Sequence, residues 1–149
     1  MKAKLVEKDP LVANMNFDHI GWKLVNGSNN TLTKDEVRKS IEQYKKFLEL
    51  KRKYPNLELV PTEEIDSVWH AHILDTKNYA KDCELLFGKF LHHAPYFGPY
   101  GHESQDDMKD WFKETSNVWK KEYGEVLEEP LRFRCRDKKC HAPSNCRCR

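Results

Sequence analysis

Apolar residues recur along this chain at three- and four-residue steps, and no convincing run alternates in the manner of a half-buried strand. The clearest run follows Thr33-Lys34-Asp35-Glu36, a capping box in which Thr33 caps the backbone and Glu36 reaches back. Val37, Ile41, Tyr44, Phe47, Leu48 and Leu50 then mark the buried face of an amphipathic helix. Lys51-Arg52-Lys53 suits the negative end of its dipole, and Pro55 stops it. A second helix opens at Pro61-Thr62-Glu63-Glu64, with Thr62 as cap and Ile65, Val68, Trp69, Ile73 and Leu74 as its apolar stripe. Asp75-Thr76 starts a third, which turns Tyr79, Cys83, Leu86 and Phe87 inward and stops at Gly88. A fourth runs from Ser104-Gln105-Asp106-Asp107 through Met108, Trp111, Phe112, Thr115, Trp119 and Tyr123 to Gly124. Phe17, Ile20, Leu24 and Val25 predict a short helix near 17–25, ahead of a loop at 26–30. Residues 89–103 read as a long loop rich in His, Pro, Gly and aromatics, and such loops are more often functional than idle. The pattern predicts an all-α fold: a compact orthogonal helical bundle of about four to five helices over residues 1–130, then an irregular Cys/Arg-rich tail over 131–149.

The 149 residues are 34% charged and 38% hydrophobic, a polar but foldable mixture. No apolar run approaches the roughly 20 residues that span a bilayer, and the N-terminus has no apolar core of the signal-peptide kind. These features predict a cytoplasmic protein without membrane contact. In that compartment the five cysteines read as thiols or metal ligands rather than disulfides. The net charge of +2 hides an asymmetry, because residues 131–149 carry seven basic residues and one acidic residue while the body is net acidic. A basic tail of this kind licenses weak, salt-sensitive attraction to polyanions, non-specific for nucleic acid because Phe133 is its only aromatic.

The candidate chemistry lies in two places. Four of the seven histidines fall within 24 residues, as His70, His72, His92 and His93. Histidine titrates near neutrality and is the commonest ligand for transition metals. Asp66 stands one helical turn before His70 and is placed to hold one of its ring nitrogens. His72 lies about 200° around the helix from His70, so both reach one ion only where the helix ends or distorts. His92 or His93 would fold back from the long loop, and Cys83 is a soft donor on the next helix. Two readings stand side by side: a buried polar network that holds the fold, or a metal or acid/base site with His70, His72, His92 and His93 as ligands and Asp66 behind them. The spacing is not that of a standard zinc motif. His19 and His102 read as solvated or simply hydrogen-bonded, and Trp111 and Trp119 as core. The second place is the tail, where Cys135, Cys140, His141, Cys146 and Cys148 supply enough donors for one tetrahedral Zn²⁺ or Cu(I) site.

Tyr44-Lys45-Lys46-Phe47-Leu48, Val60-Pro61, the run from Asp66 to Leu74, Tyr79, Asp82-Cys83, Phe87-Gly88 and the run from His92 to Gly98 together resemble the glycine-rich-domain-containing protein-like family. The resemblance covers roughly residues 35–100, and Asp-x-x-Trp-His-x-His followed by His-His is its most specific part. It implies a compact helical domain and no particular chemistry. The chain departs from that family in having six glycines and a Cys/Arg tail in place of a Gly-rich one. Two functional classes follow. One is a small interaction or scaffold module with a structural His cluster and a protein partner. The other is a metalloprotein or metal-dependent enzyme that uses the same histidines with Zn or another transition metal.

Overall fold

A computed structural model describes residues 7–28, 32–94 and 105–130. Among them are six helices and no strand: α1 (Pro10–Ala13), α2 (Asp18–Asn26), α3 (Lys34–Lys53), α4 (Glu63–Leu74), α5 (Thr76–Phe87) and α6 (Gln105–Tyr123). The sequence pattern missed only α1, whose four residues are too few to show a period. It forms because Asp9 caps it, accepting from Leu11 N at 3.0 Å, and because Pro10 sits in its first turn, where no amide partner is lost.

The capping box of α3 is present as expected. Thr33 Oγ1 accepts from the Glu36 amide at 3.2 Å, and Glu36 Oε2 accepts from the Thr33 amide at 2.7 Å. Asp75 occupies the N-cap position of α5 without capping it. Its carboxylate instead accepts from the Asn78 amide group and faces His19 Nε2, both at 2.8 Å. Gly88 and Gly124 take left-handed conformations, with φ of 65° and 68°, as helix-terminating glycines do.

The chain divides into two compact units, Met1–Leu57 with Glu63–Leu91, and Glu58–Thr62 with His92–Arg149. The first holds α1 to α5. Helix α3 is its axis, packed against α4, α2 and α1, while α4 also packs on α2 and α5. Tyr44, Phe47, Leu48, Ile65, Val68, Trp69 and Tyr79 are buried there. Each large apolar side chain so buried contributes about 1.5–3 kcal/mol against exposure. Arg52 binds the two ends of the unit together. Its Nε donates to Asp9 Oδ2 at 2.6 Å, and its Nη1 donates to the Leu86 carbonyl. The second unit carries α6, with Met108, Phe112, Thr115 and Trp119 buried. Thr115 Oγ1 accepts from the Val60 amide at 2.9 Å and donates to the Trp111 carbonyl at 2.8 Å, which fixes residues 58–62 against α6. No helix among the described residues is long and apolar enough to cross a membrane.

The register of α4 differs from expectation in one respect that governs the site. Leu74, placed on the apolar stripe by sequence, is 70% exposed, and His72 is buried in its stead. The reason is helical phase. Ile65, Val68, Trp69 and His72 stand at i, i+3, i+4 and i+7, whereas Leu74 lies about 180° round from Ile65.

Candidate functional sites on helices α2 to α5

His72 is 2% exposed, and both of its ring nitrogens have protein partners. Nε2 lies 2.7 Å from Asp82 Oδ2 on α5, and Nδ1 lies 2.7 Å from the Tyr44 hydroxyl on α3. An ionised carboxylate can only accept, so Nε2–H donates to Asp82 and Nδ1 accepts from the Tyr44 O–H. The ring is thus neutral, and one side chain ties three helices. Phe17 and Tyr79 pack edge-on against it, each with ring centroids 4.9 Å away. Burial holds the His72 pKa below the usual histidine value, against the opposing pull of Asp82 and, more weakly, Asp75. Burial likewise pushes the Tyr44 and Tyr79 hydroxyls above the usual phenol range. A histidine engaged at both nitrogens has no lone pair left for a metal, so His72 belongs to the structural reading and leaves the ligand set.

A parallel polar chain runs beside it. Trp69 Nε1 donates to the Tyr79 hydroxyl at 3.0 Å, and that hydroxyl donates to the carbonyl of Leu91. The chain anchors the residue immediately before His92-His93. Tyr44, on the buried face of α3 as its spacing predicts, and Asp82 are thus the partners of His72, a pairing that the sequence pattern did not indicate.

His70 points the other way. It is paired with Asp66, as the four-residue spacing predicts, with Nε2 3.3 Å from Asp66 Oδ2. Its side chain is 53% exposed, so the histidine cluster read from sequence divides into one inward and one outward member. His92 is exposed and His93 part-buried. Cys83 is buried on the apolar side of α5, which suits inert core rather than a soft ligand. His19 makes the simple contact expected of it, to Asp75. His102 and the tail donors Cys135, Cys140, His141, Cys146 and Cys148 lie outside the described residues.

Sequence reading did not find a groove of about 530 Å³ between α2 and α3. Phe17, Gly21, Val25, Val37 and Ile41 line it, and Trp22, 69% exposed, stands on its rim. Gly21 sets the closeness of the helices, since a Cβ there would meet Ile41 Cδ1 at 3.1 Å. Lys34, Arg38, Ile41 and Lys45 fall within about 60° of one another around α3, so three cations and one apolar residue form a stripe along the groove. Glu42 lies further round, and Asp18 stands on the opposite helix.

Comparison with known proteins finds similarity to two plant glycine-rich domain-containing proteins. The chain is 29% identical over 92 residues to glycine-rich domain-containing protein 1 of Arabidopsis thaliana, a stretch that is 59% of this chain and 11% of that protein. It is 34% identical over 61 residues to glycine-rich domain-containing protein 2 of the same plant, covering 38% of this chain and 8% of that protein. This chain therefore corresponds to only about a tenth of the length of those relatives. No solved structure matches it. A family model described as UCP032817-like matches residues 7–117, which takes in all of the first unit from Glu7 onward and much of α6, and the chain belongs to that family.

Proposed function

We propose that this domain is a protein-interaction module whose α2–α3 groove receives an amphipathic helix with an acidic flank. The groove itself carries the reading. It offers an apolar floor, an exposed tryptophan on one rim and a cationic stripe on the other. Grooves of this kind take the apolar face of a helix at i, i+3, i+4 and i+7, and exposed aromatic and arginine residues are the usual anchors. The stripe Lys34, Arg38 and Lys45 selects acidic flanks over basic ones by charge complementarity, which acts on encounter rate and register more than on raw affinity. Two further facts favour a module over a self-contained enzyme. The buried histidine is consumed in holding helices together. In the plant relatives the matched stretch is a small part of a much longer protein.

The test uses two synthetic helical peptides with the same leucine face, one flanked by glutamates and one by lysines. Each is titrated into the ¹⁵N-labelled full chain. The reading predicts that the acidic peptide shifts the Trp22 indole, Gly21 and Arg38 resonances, and that Trp22→Ala and Arg38→Glu each weaken it at least about tenfold. Equal binding of the two peptides, or shifts confined to other helices, would contradict it.

A further inference from the structure

We infer that the α2–α3 groove is directional. It seats its partner helix parallel to α3, with glutamates of the helix's first turn over Lys34 and Arg38 and lysines of its last turn at Asp18 and Glu42. This directionality rests on the reading of the groove as a helix-binding site, to which it adds the partner's charge order and sense. Every residue of the groove belongs to the first unit.

The packing of α2 on α3 sets the two ends. Gly21 is level with Val37 and Ile41, whose side-chain carbons lie 3.7 and 3.1 Å from where its Cβ would stand. Phe17, one turn earlier on α2, is level with Tyr44 and Lys45, its ring centroid 5.5 Å from that of Tyr44 and 5.9 Å from Lys45 Nζ. Earlier on α2 is thus later on α3, so the helices run antiparallel and Val25 and Asn26 stand at the Lys34 end. That end presents Lys34 and Arg38 and no lining acid, whereas the far end presents Asp18 and Glu42 against Lys45. The Lys45 ammonium is already engaged, donating to the Ala13 carbonyl at 3.4 Å and resting over the Phe17 ring. Arg38 lies 3.5 Å from Asp35, which is off the groove lining, and both side chains are exposed. Exposed pairs of this kind are weak and exchange readily for a better-placed carboxylate. The positive end of the α3 dipole meets the negative end of the α2 dipole there, so the two offset and side-chain charge decides.

Distance lets the ends act separately. Lys34 and Glu42 are about 12 Å apart along α3 at 1.5 Å per residue, beyond the Debye length of about 8 Å at physiological salt. A helix of about three turns spans both ends. Its own dipole favours acids in its first turn and bases in its last. Only the sense parallel to α3 brings both to opposite charges. The reverse sense sets lysines against Lys34 and Arg38 and glutamates against Asp18 and Glu42. The apolar floor and Trp22 serve either sense, so they supply affinity while the ends select direction.

The experiment uses the ¹⁵N-labelled full chain and two peptides of identical composition with the same leucine face. One carries glutamates in its first turn and lysines in its last, and its twin carries them reversed. Each bears a nitroxide at its N-terminus through a thioether. The first peptide's label should broaden the amides of Val25, Asn26 and Lys34, and the twin's label those of Asn16, Asp18 and Lys45, with the favoured sense at least about tenfold in excess. Arg38→Glu combined with Glu42→Lys moves charge between the ends at constant net charge. It should draw the first peptide's label away from Asn26, with helical content by circular dichroism unchanged. Broadening at the same end by both peptides, broadening equally at both ends, or no response to the charge exchange, while Gly21 and the Trp22 indole still shift, would overturn the directionality and leave the groove reading standing. No shift of Gly21 or Trp22 with either peptide would overturn both.

Discussion

Two histidines separated by one residue on α4 live in opposite surroundings. His72 is enclosed by Phe17, Tyr44 and Tyr79 and bonded at both nitrogens, whereas His70 stands half in water beside Asp66. Residue type does not decide between them, because the side chains are identical. Helical phase decides, since His72 continues the stripe Ile65, Val68, Trp69 and His70 does not. The inner ring therefore ties helices together, and the outer ring faces solvent beside Asp66.

Substitutions should separate the two most widely at His72. His72→Ala strips a buried partner from Tyr44 and Asp82 and opens a cavity among three aromatic rings, so it is expected to cost about 3–5 kcal/mol in urea unfolding. His70→Ala on the same helix should stay within about 0.5 kcal/mol, as exposed substitutions generally do. Similar losses at the two positions would dissolve the contrast. Tyr44→Phe removes one hydroxyl and leaves Nδ1 of His72 unsatisfied, for an expected loss of about 1–3 kcal/mol by the same measurement. Thr33→Ala breaks the capping box at the exposed start of α3 and should cost about 1 kcal/mol.

A smaller effect concerns acid. Burial raises the Asp9 carboxyl, but the Arg52 guanidinium and the amides of Leu11 and Val12 together outweigh it and hold the group below its usual range. The stabilisation it contributes is present above the unfolded carboxyl value and is lost as pH falls through the lower, folded one. Thermal unfolding between pH 5 and pH 2 should show this loss, and Asp9→Asn should flatten that part of the profile. Smallest of all is Gly21→Ala. The methyl meets the far end of the Ile41 side chain at 3.1 Å and Val37 Cγ1 at an ordinary 3.7 Å, so gained helix propensity should leave stability level or slightly higher, while the narrowed groove binds the acidic peptide less well.

Much of the fold was legible because period and caps agree. Thr33 with Glu36, Gly88 and Gly124 mark boundaries that the structure reproduces, and the stripe of α3 is buried except at Ile41, which lines the groove. The error at Leu74 came from preferring an apolar residue to the correct phase, since histidine is seldom counted as core. The Asp66–His70 pair was readable from spacing alone. The Tyr44–His72–Asp82 tie was not, because its members come from three helices and no local spacing joins α3 to α4. The groove was equally hidden, since it arises from the closeness of α2 to α3 that Gly21 allows.

The most direct test of the contrast is a long-range ¹H–¹⁵N spectrum of the histidine rings in the metal-free full chain at pH 7. The account predicts that His72 shows a neutral ring with a slowly exchanging proton on Nε2, while the ring protons of His70 exchange with solvent. A His72 ring that is protonated on both nitrogens, or that carries its proton on Nδ1, would contradict the assignment of His72 as the inner tie between helices.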